Sequence, residues 1–186
     1  LLRLTGILQT LQMRIQQAEK SQSGYMEFLM TLLEDEYERR QSGSLLKRLK
    51  KAGFEEEKTL EGFDFAFNPQ IPTKRIKQLA NCSYIENRQN IFLLGPVGVG
   101  KSHIAQALGH VACRMGYDVL YSKAAEMFRY IHGGRADNSW ERRIKAYTAP
   151  DLLIIDDFGL KPLTQIQTDD FYEVIQARYM KSSIIF

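Results

Sequence analysis

The segment from Gly95 to Ser102 has residue types and a spacing that could bind phosphate. It reads Gly-Pro-Val-Gly-Val-Gly-Lys-Ser, which matches the phosphate-loop pattern of glycines followed by a lysine and a hydroxyl residue. Glycines let the backbone curl so that its N–H groups turn toward phosphate oxygens; Pro96 has no N–H and leaves that task mainly to Val97–Ser102. The nucleotide-binding residues predicted here are Gly95, Pro96, Val97, Gly98, Val99, Gly100, Lys101, Ser102 and His103.

Two acidic residues at the end of a later apolar run complete the predicted chemistry. Leu152–Ile155 is wholly apolar and is followed by Asp156 and Asp157. Since ligands bind at the carboxyl ends of parallel strands, Asp156 should hold the water shell of Mg²⁺ opposite the Ser102 hydroxyl. Lys101 should reach the β- and γ-phosphates, and Asp157 should act as the general base on water. The catalytic residues are therefore predicted to be Lys101 and Asp157, in a nucleoside triphosphatase and not a kinase.

Alternating apolar strands and helices must position these residues. Strands are predicted at 91–94, 117–121, 152–155 and from 183 onward, with helices at 74–87, 102–115, 124–131, 139–147 and 164–180. Continuous apolar strands that alternate with helices indicate a parallel sheet covered on both faces. The predicted fold class is α/β, doubly wound.

The first part of the chain has a different pattern. Residues 1–56 show helical spacing of leucines and isoleucines, and polar breaks near 21–24 and 41–44 predict three helices. Residues 57–73 are predicted to be a linker whose alternating Phe63, Phe65 and Phe67 pack against the next domain. The predicted domains are thus 1–56 (helical), 57–73 (linker) and 74–186 (the nucleoside triphosphatase domain).

The charge is mild overall and concentrated locally. The 25 Lys and Arg against 22 Asp and Glu give a net charge of +3, which does not by itself indicate a nucleic-acid partner. Two clusters of basic residues, at 39–51 and at 123–145, could bind DNA phosphates, or they could be ordinary solvated or salt-bridged surfaces. The residues we expect to contact DNA are Lys47, Arg48, Lys50, Lys51, Lys123, Arg129 and Arg135.

The remaining features of composition predict an ordinary intracellular protein. Cys82 and Cys113 lack the spacing of a metal site, and we expect both thiols to be reduced. No stretch approaches the roughly 18 apolar residues that cross a membrane, so a cytoplasmic location without a membrane partner is expected. The start at Leu1 and the apolar end at 183–186 suggest a fragment of a longer chain.

Several stretches together resemble the IstB-like transposition helper ATPases. They are Tyr25–Leu29, Lys58–Phe65, Lys101–His103, Gly116–Val119 and Asp151–Gly159. The resemblance implies an AAA+ ATPase of the initiator and helicase-loader clade that binds ATP and Mg²⁺. It also implies a homo-oligomer on double-stranded DNA, a transposase partner, and a DNA-facing helix near 124–131. AAA+ proteins usually carry Glu at the position of Asp157, so slow hydrolysis is expected, and the family's sensor and arginine-finger residues come after Phe186.

Two alternatives stay open at this stage. A replicative helicase loader of the DnaC type would have a similar phosphate site and would differ in what the N-terminal helices contact. The protein could also be a nucleotide-gated DNA assembly module in which ATP binding suffices and hydrolysis only resets the complex. The shorter carboxylate of Asp157 favours that second alternative.

Overall fold

A computed structural model describes residues 3–67 and 71–186 of the chain, which begins with two helices. Helix α1 is Thr5–Ser21 and helix α2 is Tyr25–Ala52. The predicted break at 41–44 is wrong, because α2 runs through it without interruption. A single Gly43 costs only about 1 kcal/mol relative to alanine in a helix, and the flanking leucines, arginines and lysines are good helix formers.

A close crossing of α1 and α2 defines the first compact unit, which ends at Lys47. A Cβ on Gly6 would lie 2.8 Å from the Cα of Glu36, so only glycine permits this approach. The Glu36 carboxylate accepts hydrogen bonds from the N–H groups of Gly6 (2.6 Å) and Ile7 (3.3 Å), which caps the first turn of α1. Arg14 donates from Nε and Nη2 to the two oxygens of Asp35, at 2.9 and 2.7 Å.

The second compact unit begins at Arg48 and contains the predicted ATPase region. Its remaining helices are α3 (Thr73–Leu79), α4 (Ser83–Glu86), α5 (Lys101–Arg114), α6 (Ala124–Gly133), α7 (Trp140–Thr148) and α8 (Gln165–Arg178). The single helix predicted over 74–87 is therefore wrong, since Cys82 adopts a left-handed conformation (φ 59°) between α3 and α4. The predicted domain bounds stay a prediction; residues 1–2 and 68–70 of that scheme lie outside the described part.

A parallel sheet lies at the centre of the second unit. Strands β1 (Val119–Lys123), β2 (Leu152–Asp156) and β3 (Ser183–Ile185) pair in the order β1-β2-β3. The run predicted as a strand at 91–94 joins β3 through one isolated bridge, Ile91 to Ile185. The helical N-terminal region and the parallel sheet confirm the predicted α/β class.

Alternate residues of β2 pack on opposite faces of the sheet, which explains why the strand is apolar throughout. Leu153 and Ile155 belong to a buried cluster with residues of α6, α7 and α8. Ile154 lies under α5, where a Cβ on Gly109 would come within 2.8 Å of its Cδ1. Since neighbouring strand residues point to opposite faces, helices cover both sides and Asp156 is carried to the strand's carboxyl end.

A buried arginine fixes the chain around the end of the sheet. Arg178, 1% exposed, donates to the backbone oxygens of Tyr147 (2.9 Å), Pro150 (2.9 Å) and Ser183 (2.6 Å). Burial lowers its pKa to about 10, which still leaves the guanidinium charged at neutral pH. These bonds tie the segment before β2 to the start of β3.

Candidate functional site

The phosphate loop occupies the turn between the bridge at Ile91 and helix α5. Gly98 and Gly100 have φ angles of +84° and +91°, a left-handed region that glycine adopts without steric cost. A Cβ on Gly98 would meet nothing within 4 Å, so this side of the loop is open. Helix α5 begins at Lys101, and the first N–H groups of a helix lack helical partners and favour anions.

The Lys101 ammonium lies within the phosphate loop. Its Nζ donates to the backbone oxygens of Gly95 (3.0 Å) and Pro96 (2.7 Å). These bonds hold a positive charge beside the open loop, where phosphate oxygens would compete with the two carbonyl groups for the same ammonium protons. The arrangement suits the phosphate-binding role predicted for Lys101.

The structure brings Ser102 and Asp156 together although they are 54 residues apart. Ser102 Oγ donates to Asp156 Oδ1 at 3.0 Å, and the backbone N–H of Asp157 donates to the same oxygen at 2.9 Å. The other oxygen, Oδ2, accepts from the Tyr121 hydroxyl at 2.8 Å. Both oxygens of the carboxylate at the end of β2 thus accept hydrogen bonds from the surrounding chain.

A cavity of about 530 Å³ joins the loop to the acidic end of β2. This volume lies in the range of small-molecule sites. The lining residues that concern phosphate and cation binding are Lys58, Gly98, Gly100, Lys101, Ser102, His103, Asp156 and Asp157. A hydroxyl and carboxylates are the hard oxygen donors that Mg²⁺ prefers, directly or through water, so these residues fit a magnesium nucleotide.

Asp157 lies at the mouth of this cavity and is exposed. Its φ of 56° is left-handed, a conformation that aspartate tolerates better than most residues. The turn ends the strand directly after Asp156. Asp157 is thus accessible to solvent water, as a general base requires.

A segment of the predicted linker covers the phosphate loop. The Phe63 ring is so close to Gly100 that a Cβ there would lie 2.7 Å from it. His103 Nε2 hydrogen-bonds to the Thr59 carbonyl oxygen at 3.0 Å, and its ring meets Phe63 edge-on at 5.0 Å. The expectation that the linker aromatics pack against the ATPase domain holds for Phe63 and fails for Phe67, which is 78% exposed.

Sequence reasoning missed three residues of this region. Lys58 lines the cavity, Tyr121 bonds to Asp156, and Glu55 pairs with Lys123. The basic and acidic residues near 55–58 were visible in the sequence, but no motif connected them to Asp156. Tyr121 gave no signal, because a tyrosine in an apolar strand reads as core.

Most of the predicted DNA-contacting residues already have protein partners. Lys51 Nζ pairs with Asp118 at 2.7 Å, Arg48 Nε donates to the Cys113 carbonyl oxygen at 2.9 Å, and Lys123 pairs with Glu55. The side chains of Lys47, Lys50 and Arg129 are exposed. The DNA contacts stay a prediction, and the exposed residues are the ones best placed to make them.

Arg135 has a structural partner that the sequence did not reveal. Its guanidinium pairs with Asp170, a fully buried carboxylate that also accepts from Trp140 Nε1 at 2.8 Å. The same guanidinium lies 5.3 Å from the Trp140 ring centre. Moving Arg135 onto a DNA phosphate would leave the buried carboxylate of Asp170 without its charge partner, which is costly.

Both cysteines are free and buried. Burial raises the pKa of the Cys82 thiol and of the Cys113 thiol to about 11 in each case. The reactive thiolate is therefore scarce at neutral pH. The expected reduced state is consistent with this environment.

Comparison with known proteins decides the family. The family model described as IstB-like ATP binding protein matches residues 1–186. The chain belongs to this family.

An ATP-binding protein in an insertion sequence of Mycobacterium tuberculosis is 44% identical over 177 residues, which cover 95% of this chain and 70% of the relative. The IS21 ATP-binding protein of Pseudomonas aeruginosa is 36% identical over 171 residues, which cover 92% and 64%. The IstB-like chain thus spans about two thirds of the length of these relatives.

Solved structures show the same fold. DnaA from Aquifex aeolicus, bound to AMPPCP, matches with a TM-score of 0.59 and 26% identity over 69% of this chain and 41% of its own. The DnaC helicase loader matches with a TM-score of 0.60 over 69% and 75%, but at 20% identity it supports the fold alone. The IstB-like chain therefore has the P-loop AAA+ fold and is an ATP-binding protein.

Across residues 3–67 and 71–186, none of the helices has the length and apolar character that crossing a membrane requires.

Proposed function

We propose that this IstB-like chain hydrolyses ATP with Mg²⁺ and uses its ATP-bound form to assemble on double-stranded DNA as a helper of an insertion-sequence transposase. The observation that carries the proposal is the Ser102–Asp156 hydrogen bond, 3.0 Å, which joins the phosphate loop to the acidic end of β2. It places a hydroxyl, a carboxylate and the Lys101 ammonium around one cavity. That set matches the requirements of a magnesium nucleotide.

Each residue has a separate task in the proposed reaction. The phosphate loop and the first turn of α5 bind the phosphates through N–H groups, and Lys101 adds positive charge. Ser102 and Asp156 would hold Mg²⁺, which would neutralise phosphate charge. Asp157, exposed at the mouth of the cavity, orients a water molecule and accepts its proton.

The transposition role is supported by the relatives and not by the site. Proteins that are 44% and 36% identical to this chain over 177 and 171 aligned residues are named for insertion sequences. A replication initiator, DnaA, that shares the fold at 25% identity was solved with AMPPCP and single-stranded DNA. A homo-oligomer on DNA, the transposase partner and a cytoplasmic location belong to the same proposal.

A nucleotide-gated assembly module is the second candidate, and Asp157 favours it. Aspartate is one methylene shorter than glutamate, so its carboxylate reaches less far toward a water at the phosphate. Slow hydrolysis would keep the ATP-bound assembly on DNA for longer. The two candidates differ only in whether hydrolysis is needed during each cycle.

Imaging of the full-length protein on DNA tests both candidates. With ATP and Mg²⁺ we expect regular assemblies on double-stranded DNA that bind added transposase, and with ADP we expect few. Equal assembly with ATP, ADP and no nucleotide would contradict a nucleotide-dependent helper. Assemblies that form with ATP and stay through many hours without phosphate release would favour the gated module.

A further inference from the structure

The carboxylate of Asp156 has two oxygens with different partners. Oδ1 accepts from Ser102 Oγ and from the backbone of Asp157, at 3.0 and 2.9 Å. Oδ2 accepts from the Tyr121 hydroxyl at 2.8 Å. Oδ1 thus lies on the side of Ser102, where the proposed cation would bind, and Oδ2 is held on the other side by tyrosine.

We propose that Tyr121 is a positioning residue for the magnesium site: its hydroxyl holds Oδ2 of Asp156 so that Oδ1 stays turned toward Ser102. The inference rests on the proposed function, since it concerns the cation of the same nucleotide site. Tyr121 itself does not touch the cation or the nucleotide. Groups that orient a ligand in this way tune metal affinity although they make no metal contact.

The pairing of β1 with β2 fixes this geometry. Tyr121 pairs with Ile154 and Lys123 pairs with Asp156, so the four residues share one face of two neighbouring parallel strands. Tyr121 is 5% exposed, and its ring lies 6.3 Å from the ring of Phe54. Because the side chain is almost fully buried, the ring has little rotational freedom and its hydroxyl occupies a defined position.

A second carboxylate competes for the same proton. Glu55 Oε2 lies 3.5 Å from the Tyr121 hydroxyl, which has a single proton to donate. Glu55 also forms an ion pair with Lys123, and this ion pair makes Glu55 a weaker competitor for the hydrogen bond from the Tyr121 hydroxyl. Burial, and then the hydrogen bond to Asp156, raise the pKa of Tyr121, so the phenol stays protonated at neutral pH.

Removing only the hydroxyl separates this role from general support of the fold. Tyr121→Phe keeps the ring in place and leaves Oδ2 without its donor. The carboxylate can then rotate away from Ser102, which weakens cation binding. Tyr121 is not among the residues that line the cavity at the phosphate loop, so nucleotide binding without a cation should not change.

The experiment measures binding of a fluorescent ATP analogue to the full-length protein in EDTA and during a Mg²⁺ titration. For Tyr121→Phe we expect the apparent Mg²⁺ affinity to fall about 10-fold, with EDTA binding unchanged. The matched control is Tyr147→Phe, which removes another buried tyrosine hydroxyl (7% exposed) away from Asp156 and should leave both values unchanged. Unchanged Mg²⁺ affinity in Tyr121→Phe, or equal weakening with and without Mg²⁺, would overturn the proposal.

A double-mutant cycle checks that Tyr121 acts through Asp156. In an Asp156→Asn background, Tyr121→Phe should cause no further loss of Mg²⁺ affinity, because the bond it removes is already altered. An additive loss would count against the proposal.

A second variant, Lys123→Gln, tests the same hydrogen bond if Tyr121→Phe proves too unstable to measure. Without its ion pair to Lys123, Glu55 should compete more strongly for the Tyr121 hydroxyl proton, and the affinity for Mg²⁺ should fall about threefold. In the double variant Lys123→Gln/Glu55→Gln the affinity for Mg²⁺ should return to the wild-type value. A loss that persists in that double variant would contradict the competition for the proton. Wild-type protein whose ATP binding ignores Mg²⁺ would refute the proposed function itself.

Discussion

The proposed roles of Lys101 and Asp157 differ, and so do the surroundings of the two side chains. Lys101 is bound by two carbonyl oxygens of its own loop, so its charge is held where phosphates enter. Asp157 is exposed at the mouth of the cavity and has a left-handed backbone. The first residue should therefore determine nucleotide affinity, and the second should determine the rate of hydrolysis.

Lys101→Ala should lower ATP affinity by about 10- to 100-fold, because charged hydrogen bonds to phosphate are lost. Isothermal titration calorimetry with ATP and Mg²⁺ measures this change. Lys161→Ala, at an exposed lysine outside the cavity, is the control and should bind normally. Wild-type affinity in Lys101→Ala would contradict the assignment of the phosphate loop.

Asp157→Asn should bind ATP normally and hydrolyse it at a rate at least about 100-fold lower, since the general base is removed. Its assemblies on DNA should persist longer than those of the wild type. Asp157→Glu should hydrolyse ATP faster than the wild type if the short carboxylate limits the rate. Phosphate-release assays measure both rates, and undiminished hydrolysis in Asp157→Asn would remove Asp157 from the mechanism.

At the scale of elements, helix α2 and the α1–α2 crossing show how local rules are overridden. Gly43 and its serine neighbours indicate a break, yet the helix continues to Ala52. Gly6 allows the backbones to approach, and Glu36 and Asp35 bind α1 from the other helix. A glycine in a helix therefore permits a close approach of two backbones at Gly6, whereas at Gly43 it neither breaks the helix nor serves a contact.

Gly43→Ala should stabilise the protein by about 1 kcal/mol, because alanine is the better helix former and has open space at this position. Gly116→Ala is the matched control: its φ is +101°, also with open space, so alanine should destabilise by about 1–2 kcal/mol. Urea denaturation followed by circular dichroism measures both. Destabilisation by Gly43→Ala would show that α2 breaks there.

The Arg14–Asp35 pair should make the stability of the first unit depend on acidity. The hydrogen bond from Arg14 lowers the pKa of Asp35 to about 2, below its usual value of about 3.9. The stabilising contribution is thus complete above about pH 4 and is lost as the pH falls toward 2. Asp35→Asn should be less stable than wild type at pH 7, and the difference should shrink below pH 4.

Denaturation at pH 7, 4 and 2.5 measures this dependence. Glu19→Gln, an exposed acid on α1, is the control and should show a small difference at every pH. A difference for Asp35→Asn that is the same at pH 7 and 2.5 would mean that the ion pair does not depress the pKa in solution.

At the scale of the whole molecule, net charge is a poor guide to a DNA surface. The chain has a net charge of +3, and several of its basic residues are already paired with acids, as Lys51 is with Asp118 and Arg135 with Asp170. The exposed Lys47, Lys50 and Arg129 carry charge that phosphates could neutralise. DNA affinity should depend on these residues more than on the paired ones.

Lys47→Gln/Lys50→Gln should lower DNA affinity and reduce the slope of log affinity against log salt by about 2, one unit per lost phosphate contact. Fluorescence anisotropy in ATP at several salt concentrations gives this slope. The control is Lys161→Gln/Lys181→Gln, which removes the same charge from two other exposed positions. Equal slopes for both double variants would indicate that Lys47 and Lys50 are ordinary solvated residues that do not contact DNA.

The sequence by itself determined the α/β class, the phosphate loop and the two acids at the end of the apolar strand β2, because these depend on short patterns that local sterics and burial impose. The tertiary structure decided which distant groups meet them. Tyr121 reaches Asp156 across 35 residues and Glu55 lies 66 residues from Tyr121, so no local pattern could connect them. Phe63 on the phosphate loop and Asp170 beneath Arg135 were likewise set by packing, since an ion pair or a ring contact depends on where the folded backbone brings two side chains.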